Sequence, residues 1–379
     1  MSLAPGVIRD SIISFLDSLG GDASTEEIVT AVKAKLGETP KSSVRSYLAL
    51  NTPNIFERTA RGRYRLQGIY QANGHASDHE VNIKSANIGN AQLHNADCFE
   101  WLMQQKPASV QAIVTDPPYG LVEYTAKETA KLRSGKGGIW RIPPAFDGHQ
   151  RAPLPRFTVL SDQDRLALHA FFLRFGRLAA RIVVPGANIV IASNPLLAHI
   201  VADAMTQSGL ELRGYVARQV MTMRGGDRPK NAHHEFSGVS VMPRSQWEPW
   251  VVLRAPLEGR VQDNLRKWKT GGFRRPSDER PFGDVIRSHP TPAGERKIAP
   301  HPSLKPQAFM RQLVRAVLPL GEGTILDPFM GAGSTLAAAN ALGYKSTGIE
   351  LDKHFFELAK SAIPQLAEIA VKHSDSDLN

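Results

Sequence analysis

Cysteine is almost missing from this chain. A single Cys98 among 379 residues excludes an intrachain disulfide and a cysteine-built metal cluster, which fits a reducing compartment and makes the cytoplasm the default location. Long apolar runs are missing as well. No stretch approaches the roughly 20 apolar residues of a membrane-spanning helix, and Arg9 and Asp10 interrupt the first apolar positions, so neither a membrane segment nor a secretory signal is expected. Acidic residues are the scarcer charge: 46 Lys and Arg against 36 Asp and Glu give a formal net charge of +10, a balance that favours a polyanionic partner. His233-His234 has no third ligand at suitable spacing, so no metal is expected.

What is present falls into three parts. Ile8, Ile12, Phe15, Leu16 and Leu19 recur at helical spacing up to Gly20-Gly21, a second helix opens at Thr25, and a third with a polar, basic face follows Pro40. Residues 55–58 and 63–66 then read as two short strands of a basic hairpin. Three helices and a basic hairpin over residues 1–66 resemble a winged helix-turn-helix, whose third helix enters the major groove while the wing touches the backbone. Lys41, Arg45, Arg61 and Arg63 are its DNA-contact candidates, with packing on the larger domain or dimerisation as the alternative use. Residues 67–90, rich in Gly, Asn, Ser, His and Asp, read as a linker.

From 91 to 379, short β-branched runs alternate with amphipathic stretches, which predicts the α/β class: a mostly parallel sheet with helices on both faces. Two segments break the alternation. Residues 121–156 form a Lys-, Arg-, Gly- and Pro-rich insertion loop, and 223–300 form a long arginine-rich region holding Trp247, Trp250, Trp268 and Phe273. Loops of that length act as lids or binding elements.

Two motifs carry the chemistry. Asp116-Pro117-Pro118-Tyr119 ends the apolar run 110–115. Each proline fixes φ and removes its own donor, so the Asp116 carboxylate and the carbonyls of Asp116 and Pro117 can accept both hydrogens of an NH2 group, with Tyr119 stacking on the ring that bears it. Some two hundred residues on, Asp327-Pro328-Phe329-Met330-Gly331-Ala332-Gly333-Ser334-Thr335 is a glycine turn opening a helix, where the backbone can approach a ligand closely. Glu350 ends the next apolar strand about 20 residues later, the spacing at which a carboxylate accepts from ribose hydroxyls. The turn lacks a Walker lysine and a third glycine, which argues for a mononucleoside without phosphates.

Together these segments resemble the S-adenosylmethionine-dependent DNA amino-methyltransferases over roughly residues 91–370. The match includes Leu93-His94-Asn95-Ala96-Asp97-Cys98, the Asp-Pro-Pro-Tyr motif, His301-Pro302-Ser303-Leu304-Lys305-Pro306 and the Phe-x-Gly-x-Gly turn. With the catalytic motif ahead of the glycine turn, the order is that of the permuted β group, with 223–300 in the slot of the target recognition region. The resemblance implies catalysis by Asp116, Pro117, Pro118 and Tyr119. It implies cofactor contacts from Asp97, His301, Lys305, Pro306, Asp327, Phe329, Gly331, Gly333, Ser334, Thr335 and Glu350. Arg224, Arg228, Lys230, Arg244, Arg266, Lys267, Lys269, Arg274 and Arg275 are DNA-contact candidates in the recognition region. The implied substrate is adenine N6 in double-stranded DNA, everted from the duplex, with cytosine N4 and a non-catalytic winged-helix regulator as alternatives. A homodimer and a cognate restriction enzyme are partners such an enzyme can have. Cys98 precedes the catalytic strand rather than occupying its turn, which argues against thiolate-dependent carbon-5 chemistry.

Overall fold

The structure, a computed structural model, describes residues 7–37, 39–50, 52, 55–66, 84–118, 162–220, 226 and 228–371. The chain divides into two compact units, Met1–Asn82 and Ile83–Asn379. In the first, α1 (Val7–Leu19), β1 (Asp22–Ser24), α2 (Thr25–Leu36), α3 (Lys41–Leu50), β2 (Phe56–Ala60) and β3 (Arg63–Leu66) follow in order, and the strands form an antiparallel sheet ordered β1-β3-β2. α2 starts where it does because the Ser24 hydroxyl accepts from the Glu27 N–H while the Glu27 carboxylate accepts from the Ser24 N–H, satisfying two donors at once. The apolar faces close over Ile12, Leu16, Ile28, Val32, Val44, Leu48, Phe56 and Leu66, all fully buried, and each such side chain contributes about 1.5–3 kcal/mol.

The second unit opens with β4 (Lys84–Ile88), antiparallel to β5 (Ala91–Asn95). Residues 84–88 therefore correct the reading of 67–90 as linker; the segment has little apolar alternation of its own, and pairing with β5 makes it a strand. The chain continues through α4 (Cys98–Gln104), β6 (Val110–Thr115), α5 (Asp162–Ile182), β7 (Val183–Ala192), α6 (Ala198–Thr206), β8 (Glu211–Gln219), β9 (Trp247–Arg254) and α7 (Val261–Trp268). After them come β10 (Val285–Arg287), α8 (Ala293–Ile298), α9 (Gln307–Val317), β11 (Thr324–Asp327), α10 (Ser334–Ala341), β12 (Lys345–Glu350) and α11 (Lys353–Glu368).

The described strands of this unit form one sheet ordered β10-β8-β9-β7-β6-β11-β12-β5-β4, parallel except where β9 and β4 pair with their neighbours. Helices cover both faces, as expected of the class. On one face α4, α5 and α6 pack Trp101, Phe172, Phe175 and Met205 against Ile113, Ile189 and Val251; on the other, α9 packs Phe309, Leu313 and Val317 against Val114, Val190 and Val252. Strand β9 corrects the reading of 223–300 as one recognition loop. Trp250-Val251-Val252-Leu253 is almost wholly buried between β7 and β8, because an apolar β-branched run is stable only with partners on both edges and faces. The insertion 121–156 lies outside the described residues. Among the described residues no helix is long and apolar enough to cross a membrane.

From β6 the chain proceeds through α5 to β7 on one side, and from β11 through α10 to β12 on the other. Since β6 and β11 are neighbours, their carboxyl ends flank the point where strand order reverses, the place where open α/β sheets bind ligands.

Candidate active site

The two motifs meet at that point. Thr115, the last residue of β6, donates from Oγ1 to Asp327 Oδ1 at 2.7 Å, which ties the strand before the Asp-Pro-Pro segment to the strand before the glycine turn. Asp327 Oδ1 also accepts the Phe329 N–H at 3.2 Å, shaping the turn. Burial lifts the Asp327 carboxyl to about 6, against hydrogen bonds from Thr115, Thr335 and the Phe329 N–H. Gly331 and Gly333 have φ of +51° and +86°. A Cβ on Gly331 would stand 3.0 Å from the His301 ring, and one on Gly333 would stand 2.5 Å from Ile363 Cγ1. Both the backbone hand and the close approach therefore require glycine. The His301 ring stacks edge-on against Phe355 at 4.4 Å, and burial, followed by the charge of Lys305, holds it near 4, so it is neutral at pH 7.

Glu350 closes the turn from the next strand. Its Oε2 accepts the Gly331 N–H at 2.9 Å and its Oε1 the Asp352 N–H at 2.8 Å, while burial holds the carboxyl above its ordinary value. Asp97 stands on the adjacent strand end, since β5 pairs with β12 in the register Asn95↔Glu350. Its Oδ1 caps α4 by accepting the N–H groups of Phe99 and Glu100. Cys98, the first residue of that helix, is buried and its thiol is pushed upward by burial, as expected of a packing residue rather than a nucleophile.

Beside the turn lies a line of buried charge. Lys305 Nζ is 2.7 Å from Asp116 Oδ2 and 3.1 Å from Glu248 Oε1, and Glu248 Oε2 accepts from Arg218 at 2.8 Å. Burial pushes the Lys305 ammonium down, but Asp116 and Glu248 more than reverse this and leave it raised. Burial likewise pushes Glu248 up, and Lys305 and Arg218 more than reverse it. Both groups are charged at neutral pH.

One cleft is lined by Asp116, His301, Lys305, Asp327, Phe329, Gly331, Ser334 and Thr335 together with Trp250, Ser303, Leu304, Met310, Met330 and Ala332. Ser334 accepts the Lys305 N–H through Oγ at 3.3 Å, and Pro306 stands at the N-terminus of α9. Pro117 and Pro118 follow Asp116 off the strand, whereas Tyr119 lies outside the described residues. Sequence reasoning missed Glu248 and Arg218, and it named Trp250 only as an aromatic of the 223–300 region; the partners that give these residues their place lie on other strands and helices.

The DNA-contact candidates divide. Lys41 and Arg45 both reach Glu26, Arg45 at 3.8 Å, and Arg63 is bound to Asp22 at 2.8 Å; Arg61 is exposed in the β2–β3 turn. Arg228 and Lys230 are exposed, Arg244 packs beside Gly226, and Arg224 lies outside the described residues. Arg266 pairs with Asp263 and Lys267 with Glu258, while Lys269 takes a left-handed conformation at the end of α7. Arg274 donates to the Tyr344 hydroxyl at 2.5 Å and Arg275 to the Asp278 carbonyl at 2.9 Å. Exposed ion pairs of this kind are screened by solvent and hold their side chains weakly. Among the described residues no group of three His, Cys, Asp or Glu side chains could hold a metal ion.

Fold and cleft together define a doubly wound α/β unit with a cleft at the switch point, where such sheets bind ligands. The family model described as DNA methylase, of the N6/N4 type, matches residues 110–361, and the chain belongs to that family. It is 24% identical over 275 residues to the type II methyltransferase M2.LlaDCHI of Lactococcus lactis subsp. cremoris, a match covering 72% of this chain and 89% of the relative. To the type II methyltransferase M2.DpnII of Streptococcus pneumoniae it is 23% identical, covering 72% and 88%. Among solved structures, the cytosine-N4-specific PvuII DNA methyltransferase is similar with a TM-score of 0.47 and 12% identity, covering 76% of this chain and 90% of that one. The M1.HpyAVI–SAM complex is similar with a TM-score of 0.42 and 19% identity, covering 71% and 98%.

Proposed function

We propose that this protein transfers a methyl group from S-adenosylmethionine to the exocyclic N6 amino group of adenine in double-stranded DNA. The observation that carries the reading is the junction of the two motifs: Asp116 leaves β6 one residue beyond Thr115, whose hydroxyl is bonded to Asp327 at the head of the glycine turn. A carboxylate able to grip an amine and a turn able to seat a nucleoside thus share one cleft.

The residues present fit the cofactor. Gly331 lines the cleft, where a Cβ would crowd the His301 ring, the turn itself carries neither a Walker lysine nor a third glycine for a phosphate, and carboxylates stand on two neighbouring strand ends at Glu350 and Asp97. Glu350 would hold the ribose, Asp97 the adenine side, and the His301–Lys305 segment would close over the turn. When bound, S-adenosylmethionine supplies an electrophilic methyl on a sulfonium. Asp116 and the carbonyls of its turn would accept the hydrogens of the target amine and orient its nitrogen lone pair toward that methyl, and the proton the amine gives up would leave to solvent. The target base must first leave the stack, at a cost of a few kcal/mol that stacking in the pocket offsets, and Tyr119 is assigned that platform.

Adenine rather than cytosine rests on aspartate as the first residue of the tetrapeptide, which the family uses more often for adenine. Sequencing the DNA of an expression host with a method that distinguishes modified bases tests this. N6-methyladenine at a defined site is expected, and N4-methylcytosine there would reassign the base. A cognate restriction enzyme and a homodimer remain proposed partners.

Glu350→Ala is expected to weaken cofactor binding in calorimetry, since it removes both the ribose acceptor and the anchor of the Gly331 N–H; an unchanged dissociation constant would contradict the assignment. The N-terminal unit, with three helices and a β1-β3-β2 sheet, is proposed to act as a winged helix that adds DNA contacts. Deleting residues 1–75 is expected to lower duplex affinity while cofactor binding is kept, and equal affinity with and without the unit would refute that role.

A further inference from the structure

We propose that Glu248 and Arg218 are positioning residues that act on Asp116 through Lys305. The inference rests on Asp116 as the acceptor of the target amine. Arg218 and Glu248 face one another across the β8–β9 pair, and their side chains are only 7% and 14% exposed. Arg218 is fixed from several directions: Nη1 to Glu248 at 2.8 Å, Nε to the Ser288 hydroxyl at 3.0 Å, Nη2 to the His289 carbonyl at 3.0 Å, and the guanidinium 5.2 Å from the Phe309 ring. Glu248 is thereby held with its second oxygen 3.1 Å from Lys305 Nζ, and the ammonium reaches Asp116 Oδ2 at 2.7 Å.

Four buried charges thus alternate in sign from the sheet interior to the catalytic turn and sum to zero. A lysine side chain alone is a flexible stem with a point charge. Shared between two carboxylates, one of them locked by a bidentate-capable guanidinium, it has one place to be. The consequence is a fixed cation beside Asp116 that keeps the carboxylate ionised and oriented. Neutralising Glu248 leaves Lys305 facing Arg218 with a single carboxylate partner, so Lys305 gives up its proton more readily.

The test uses the full chain labelled with 15N at the lysine Nζ, with the Lys305 resonance assigned by its loss in Lys305→Arg. The charged or titratable groups that interact with Lys305 are Asp116 after β6, Glu248 on β9, Arg218 on β8 and His301 ahead of α9; Asp116 in turn feels Asp327 on β11, and Glu295 on α8 feels Arg311 and Arg218. In Glu248→Gln, an isosteric change, the Lys305 titration is expected to move down by about one pH unit or more. The alkaline limb of kcat should move with it, while the cofactor dissociation constant stays unchanged. Glu248→Asp, which keeps the charge, should restore most of the shift. A Lys305 titration unmoved in Glu248→Gln, or an unmoved alkaline limb, overturns the proposal. If Glu248→Gln does not fold, Arg218→Lys, which keeps the charge but loses the fork that fixes Glu248, is read in its place: kcat lowered at unchanged cofactor affinity supports the proposal, and unaltered kcat overturns it. A parent protein that transfers no methyl to DNA would defeat the underlying functional reading instead, and the Nζ titration would then judge the charge chain by itself.

Discussion

Replacing Asp116 with alanine is expected to lower methyl transfer by at least about 10²-fold, the scale associated with losing the alignment of a reacting group, while S-adenosylmethionine still binds. The separation follows from position. Asp116 lines the cleft on the β6 side, whereas Gly331 and its partner Glu350 sit on the β11–β12 side. Asp116→Asn is the more informative companion, because it keeps shape and removes charge. If orientation by a carboxylate is what matters, asparagine should recover only a small part of the loss, since its amide presents donors to an amine that is itself a donor. Single-turnover rates with saturating cofactor measure this, and a variant as fast as the parent would remove Asp116 from the mechanism.

The second large effect is expected on stability. Lys305→Met takes away the cation between Asp116 and Glu248 and leaves two buried carboxylates near one another, one of them still paired with Arg218. Removing one partner of a buried ion pair costs about 3–5 kcal/mol, and the lower end applies here because one carboxyl can take up a proton. That uptake sets the pH dependence. In the folded variant a carboxyl is held protonated to higher pH than in the unfolded chain, so the native state binds more protons and stability falls as pH rises. The deficit relative to the parent should therefore shrink on acidification from neutrality toward pH 5. Chemical denaturation across that range checks it, and a deficit independent of pH would place the cost in packing instead.

The parts of this arrangement that were legible in the sequence are those written in local chemistry. The runs 110–115 and 324–326 are apolar and β-branched, and they became neighbouring strands β6 and β11. Thr25-Glu26-Glu27 announced a helix start that the Ser24–Glu27 cap explains. His301 and Lys305, 14 and 18 residues beyond the nearest described strand, β10 (Val285–Arg287), were found only because the motif they belong to is known; nothing in their own spacing places them beside Gly331 and Asp116. What the sequence hid is what depends on partners. Strand β9 looked like part of an arginine-rich loop because its neighbours in sequence are polar, and only its antiparallel insertion between β7 and β8 makes Trp250 a core residue. Lys41 and Arg63 looked like free cations, but Glu26 and Asp22 stand 15 and 41 residues away in sequence and next to them in space. The Arg218–Glu248–Lys305–Asp116 line joins four separate segments, and no one-dimensional pattern encodes it.

The amine-gripping turn and the nucleoside turn are proposed to act on one substrate pair. Incubating the purified protein with S-adenosylmethionine labelled in its methyl group and with unmethylated duplex DNA, then digesting the DNA to nucleosides, tests it most directly. The expected result is label recovered in N6-methyladenine, absent when Asp116→Ala replaces the parent. Label recovered in 5-methylcytosine, or no label in DNA from a protein that binds the cofactor and the duplex, would contradict the account.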